Sequence, residues 1–194
     1  MVIPFRERPL EGEHPYVWLD ALYPKVRQHH RIVSMALVIA IGVRATGERE
    51  ILGFEVGASE EAAFWQSFLR HLVARGLSGV QLVISDAHQG LKEAITTAFA
   101  GASWQRCRVH FMRNVLAHIT KGNRSMVAAA LRTIFAQPDR ESAGEQLLQV
   151  VAGLNATGSR QPRSCKMRRT TSWPIWPTHP ITGRGSIPLT HWSD

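Results

Sequence analysis

The chain has 194 residues, 44% of them hydrophobic, two cysteines and a formal net charge of +8. That is enough for one domain with a real core. No apolar run is long enough to span a bilayer, no signal-length apolar segment follows Met1, and two cysteines are too few for a disulfide framework, so a cytoplasmic protein is expected. The charge is uneven: residues 1–154 hold 17 Lys/Arg against 14 Asp/Glu (+3), and residues 155–194 hold 6 against one, Asp194 (+5). The high pI therefore belongs mostly to the tail and does not mark the whole chain as a nucleic-acid binder.

Residues 1–15 are polar and proline-bearing and read as an extended lead-in. A first strand spans about 16–20 and ends in Asp20. A basic turn follows (Lys25, Arg27, His29, His30, Arg31), then a nearly continuous apolar strand over 34–43, as a central strand should be. Ala45-Thr46-Gly47-Glu48 signals a hairpin into a third strand over 51–56. Ser59 is the expected cap of a helix whose Ala62, Trp65, Phe68, Leu69, Leu72 and Val73 keep helical spacing, and Gly76 stops it. Aromatics at that spacing, and Trp104, are expected in the core. A fourth strand over about 80–85 delivers Asp86. A helix over about 88–100, a short strand over 102–107 and helices over about 109–120, 124–136 and 139–152 complete the pattern, with Pro138 and Asp139 marking the last helix start.

Three strands joined by short turns form an antiparallel meander, and later strands reached through helices run parallel. The expected fold is α/β, a mixed sheet flanked by helices. Its first and fourth strands lie side by side, about 5 Å apart. That brings Asp20 and Asp86 together at a sheet edge, where open α/β folds bind ligands. Two neighbouring carboxylates repel unless a cation lies between them, which points to Mg²⁺-dependent phosphoryl transfer. The alternative is that each Asp is a turn former, with Asp86 capping the following helix.

Residues 155–194 lack periodicity and hold five of the ten prolines and Trp173, Trp176 and Trp192. A low-order basic tail is expected there. Its abrupt composition change resembles translation in another reading frame.

Three stretches carry a family resemblance. They are Trp18-Leu19-Asp20-Ala21 with Val26-Arg27, Val83-Ile84-Ser85-Asp86-Ala87-His88-Gln89-Gly90-Leu91, and Trp104-Gln105-Arg106-Cys107-Arg108-Val109-His110-Phe111-Met112-Arg113-Asn114. Together they resemble the Mutator-type family of bacterial insertion-sequence transposases, over about residues 4–154. The resemblance implies a ribonuclease-H-like core with an Asp-Asp-Glu triad holding Mg²⁺ or Mn²⁺, in which Asp20 and Asp86 match the first two acids and Cys107-x-x-His110 matches a motif between the second Asp and the Glu. It also implies DNA, as element ends and target, for the intact enzymes.

Two family features have no counterpart here: the N-terminal region that reads element ends, and the Thr-Asn-Pro-(small or apolar)-(apolar)-Glu-Arg-like stretch with the third carboxylate. From Gln146 onward the only acid is Asp194. The expectation is a partial catalytic domain over 16–154 that holds its metal weakly and is inactive or nearly so. As substitutes for the third acid, Glu93, Glu141 and Glu145 compete with the reading of a solvated helix face. Cys107 and His110 are half of a zinc site or, instead, a small buried hydrophobe and a residue that orients the active site or contacts phosphate.

Ala94 to Pro138 contains no acid. There Arg106, Arg108, His110, Arg113, Lys121 and Arg124 are candidates for the DNA backbone, against the alternative of a solvated face. The leading function is DNA strand cleavage and transfer in transposition. The alternative is a non-catalytic DNA-binding fragment that joins a full-length transposase as a mixed oligomer and inhibits it.

Overall fold

The computed structural model describes residues 2–28 and 30–156. These residues fall into two compact units that divide between Gln105 and Arg106. Of the low-order tail expected over 155–194, Asn155 and Ala156 are helical instead, and residues 157–194 lie outside the described residues.

The first unit begins with helix α1 (Val2–Glu7), strand β1 (Tyr16–Leu22) and the hairpin β2 (Lys25–Gln28) and β3 (Arg31–Ser34). It continues with β4 (Ala36–Val43), β5 (Arg49–Gly57), α2 (Ala62–Ala74), β6 (Leu82–Ser85), α3 (Gln89–Ala98) and β7 (Ser103–Arg106). Five strands form one sheet in the order β5-β4-β1-β6-β7, and β2 and β3 pair only with each other. β1, β4 and β5 are antiparallel neighbours, while β6 runs parallel to β1. This is a mixed sheet packed against helices, as the sequence led us to expect.

One sheet face makes the core. Val17, Leu19, Val38, Ala40, Leu52 and Val83 pack against Trp65, Phe68, Leu69 and Leu72 of α2 and Leu91, Ala94 and Ile95 of α3. Trp65 and Leu69 are fully buried. Each such side chain contributes about 1.5–3 kcal/mol of apolar burial.

Four local expectations need correction. The lead-in is not wholly extended, since Val2–Glu7 is helical; Pro4 falls in the first turn, where its missing N–H costs nothing. The basic turn after β1 is a paired hairpin. Helix α2 begins two residues later than expected, with Glu61 at the cap position, and the Ser59 hydroxyl bonds the Glu61 carboxylate instead (3.0 Å). The helix expected over 109–120 stops at Ala117, as described next.

The second unit holds α4 (Arg108–Ala117), a 3-10 turn (Lys121–Asn123), α5 (Arg124–Phe135) and α6 (Arg140–Ala156). Val115, Val127, Leu131, Ile134, Leu147 and Val150 form its separate core. Asp139 caps α6 as expected, accepting the Ser142 N–H at 2.8 Å. That bond holds its carboxyl below the usual range. Among the described residues, no helix is long and apolar enough to cross a membrane.

Candidate active site

β1 and β6 pair with Tyr16 opposite Leu82, Val17 opposite Val83 and Trp18 opposite Ile84. Continued past the paired residues, the same offset would bring Asp20 of β1 opposite Asp86, the residue that follows the end of β6 at Ser85. Side chains alternate along a strand. Val17, Leu19 and Val83 face the helical core, so Asp20 lies on the opposite face of β1, and Asp86 directly follows β6. Asp20 is exposed and Asp86 half-buried.

Both carboxylates are held alike. Asp20 Oδ1 accepts the Ala21 N–H at 2.9 Å. Asp86 Oδ1 accepts the Ala87 N–H at 2.7 Å. One oxygen of each is thus turned back on its own chain. Asp86 is not the cap of α3; His88 is, its Nδ1 accepting the Leu91 N–H at 3.3 Å. The helix-cap reading of Asp86 therefore fails.

Behind Asp86, the Ser85 hydroxyl is buried and donates to the Asp86 carbonyl at 3.0 Å. The Ser85 hydroxyl oxygen in turn accepts the Trp104 indole N–H at 2.9 Å. Lys92 lies over the Trp104 ring, 4.6 Å from its centroid. Nothing in the sequence pattern pointed to this chain of contacts.

Among the described residues, no three His, Cys, Asp or Glu side chains gather where they could share a metal ion. Glu93 accepts a hydrogen bond from Gln89 on its own helix (2.9 Å). Glu141 and Glu145 lie exposed in the other unit, on α6. Cys107 is half-buried at the cap position of α4, without a capping side-chain bond.

The basic candidates do not share one helix. Arg108, His110 and Arg113 lie on α4, Lys121 in the 3-10 turn and Arg124 at the first residue of α5. Arg124 Nε donates to the Ile119 carbonyl at 3.0 Å. Arg106 stacks on Phe111 (5.4 Å) and Arg108 on Phe135 (4.8 Å), two rings that meet edge to face. Arg113 and Lys121 are exposed.

A second polar cluster was not legible in the sequence. The His14 ring is fully buried and meets Glu50 Oε1 at 2.6 Å through Nε2. Arg8 and Arg44 each reach the same carboxylate at 3.4 Å. Burial pushes the Glu50 carboxyl up, but the hydrogen bonds from His14 and Arg44 and the charges of Arg44 and Arg8 outweigh it, leaving it below its usual range.

A family model described as "Transposase, Mutator family" matches residues 1–172. The chain belongs to that family. The match runs past residue 154, where the sequence resemblance was expected to end. Over 151 residues the chain is 48% identical to the transposase for insertion sequence element IS406 of Burkholderia multivorans, covering 77% of this chain and 38% of that one. It is 47% identical over 151 residues to the transposase for insertion sequence element IS1081 of Mycobacterium tuberculosis, covering 77% and 36%. This Mutator-family chain thus spans little more than a third of those relatives' length. Among solved structures it resembles the Drosophila P element transposase strand transfer complex loosely, with a TM-score of 0.39 and 15% identity over 61% of this chain and 33% of that one.

Proposed function

We propose that the first unit is catalytic-core structure of a DNA transposase and that Asp20 and Asp86 are two carboxylate ligands of its divalent metal. The observation that supports this reading is the parallel β1–β6 pairing, whose offset from Tyr16 to Leu82 equals that from Asp20 to Asp86. Two aspartates offer hard oxygen donors, and Mg²⁺ is commonly held by one or two carboxylates with water and substrate phosphate making up the rest. The donor set therefore fits Mg²⁺ or Mn²⁺. Such an ion supplies Lewis-acid stabilisation of charge on a phosphate being cleaved or joined.

The chain's own groups do the positioning. The Ala21 and Ala87 N–H groups fix one oxygen of each carboxylate. Ser85, braced by Trp104, fixes the Asp86 backbone. Exposure of Asp20 leaves room for a DNA backbone to approach. Arg113 and Lys121 are exposed cations suited to phosphate contact, with Arg106, Arg108, His110 and Arg124 as further candidates.

A divalent ion held by two carboxylates completes its shell with water and substrate phosphate, and on this reading the chain binds its metal weakly. It binds DNA without efficient strand transfer and joins intact relatives as an oligomer. Manganese binding followed by electron paramagnetic resonance tests the metal assignment. Mn²⁺ uptake by the full chain should fall in both Asp20→Asn and Asp86→Asn. Uptake unchanged in both variants would refute the pair.

A further inference from the structure

The hairpin β2–β3 stands apart from the rest of the first unit. Neither strand joins the five-stranded sheet. Every residue of the two strands except half-buried Val33 is exposed. Ile32 is 69% exposed and Val26 38%. The base is closed by the Met35 N–H donating to the Pro24 carbonyl at 3.1 Å. The tip turns through His30, whose backbone is left-handed (φ 62°). A lone two-stranded hairpin is marginally stable in water. Projecting one, with apolar side chains uncovered, makes physical sense when something rests against it.

Charge identifies that partner. From Ala21 to Gly47 the chain has no acidic residue, and the hairpin carries Lys25, Arg27 and Arg31. Directly opposed residues of an antiparallel pair share a face. Lys25 pairs with Ser34 and Arg27 with Ile32, so one face presents Lys25, Arg27, Ile32 and Ser34. The other presents Val26, Gln28, Arg31 and Val33. A second copy of the same ribbon would bring like charges together, so a polyanion is the complementary occupant. A two-stranded ribbon also has the width that the major groove of B-DNA admits. Lys25 lies only five residues beyond Asp20, within about 17 Å along a fully extended chain.

We propose that β2–β3 is a DNA-gripping arm, holding duplex phosphates mainly through Lys25 and Arg27 on their shared face, with Arg31 adding charge from the other. This deepens the transposase reading and rests on it. It makes no use of the metal.

The test is duplex binding by the full chain across a salt series, followed by fluorescence anisotropy with a labelled random-sequence duplex in a metal chelator. The triple variant Lys25→Gln/Arg27→Gln/Arg31→Gln is compared with the parent and with Arg70→Gln, an exposed control on α2. Each phosphate contact contributes about 0.9 to the slope of log affinity against log salt. The triple variant should therefore flatten that slope by about 2–3, while the control leaves it unchanged to within one contact. A parent that binds DNA with a slope the triple variant does not alter overturns the arm but leaves the metal pair standing. A shift of the variant's sedimentation without a change in slope assigns the hairpin to self-association and also overturns it. A parent with no duplex affinity in low salt overturns the arm and the DNA-binding reading together.

Discussion

The indole N–H of Trp104 donates to the buried Ser85 hydroxyl at 2.9 Å, and that hydroxyl donates onward to the Asp86 carbonyl at 3.0 Å. The contact ties β7 to β6 at the residue before the proposed ligand. Ser85→Ala removes both bonds and leaves the indole N–H without this acceptor. A loss of about 1–3 kcal/mol is expected from urea unfolding monitored by circular dichroism. Mn²⁺ affinity should fall as well, because the Asp86 backbone loses its brace. If neither changes, Trp104 and Ser85 have no positioning role.

Glu50 couples stability to pH. Its carboxyl is lower in the folded protein than in the unfolded chain. A depressed carboxylate stabilises the fold above its unfolded pKa, about 4.3, and loses that contribution as pH falls through the lower folded value. Glu50→Gln should therefore be less stable than the parent at neutral pH. The gap should close on acidification below about pH 4.3. A constant gap across that window, in urea midpoints measured at each pH, would contradict the role given to the His14–Glu50 contact.

Gly42 makes room for the same buried imidazole. A Cβ there would lie 2.7 Å from His14 Cδ2 and 2.8 Å from Leu52 Cδ2. His14 is buried and bonded to Glu50 and so has little freedom to yield. Gly42→Ala should cost about 1–3 kcal/mol by overpacking. Gly76→Ala should also destabilise, since φ is +107° and the new Cβ would stand 2.6 Å from the Leu10 carbonyl oxygen. Thermal melts of both variants check this, and an unchanged melting temperature for Gly42→Ala would refute the tight fit.

The sheet was legible because its strands are apolar runs bounded by turn signals. Ala36–Val43 is nearly all apolar, and Leu82–Ser85 follows the helix stop at Gly76. The parallel placement of β6 beside β1 followed from the helix between them. Other features gave no local signal. Lys25–Gln28 buries nothing, and its turn lacks the Asn-Gly or Gly pair that marks a tight hairpin. Arg8, His14, Arg44 and Glu50 are far apart in sequence, so only folding reveals their cluster. At Asp86 the expectation of a possible helix cap overlooked His88, whose Nδ1 does the same work with a ring nitrogen. The break after Ala117 was missed because apolar spacing continues through Ile119 without a proline or a strong stop.

The most direct measurement is iron-promoted backbone cleavage. Fe²⁺ replaces Mg²⁺ at the carboxylate pair, and added ascorbate and peroxide cut the chain beside the bound ion. We predict cuts clustered at the ends of β1 and β6, near residues 20 and 86, suppressed by excess Mg²⁺ and absent in Asp20→Asn/Asp86→Asn. Cleavage confined to one of the two strands, or unchanged in the double variant, would contradict a shared site.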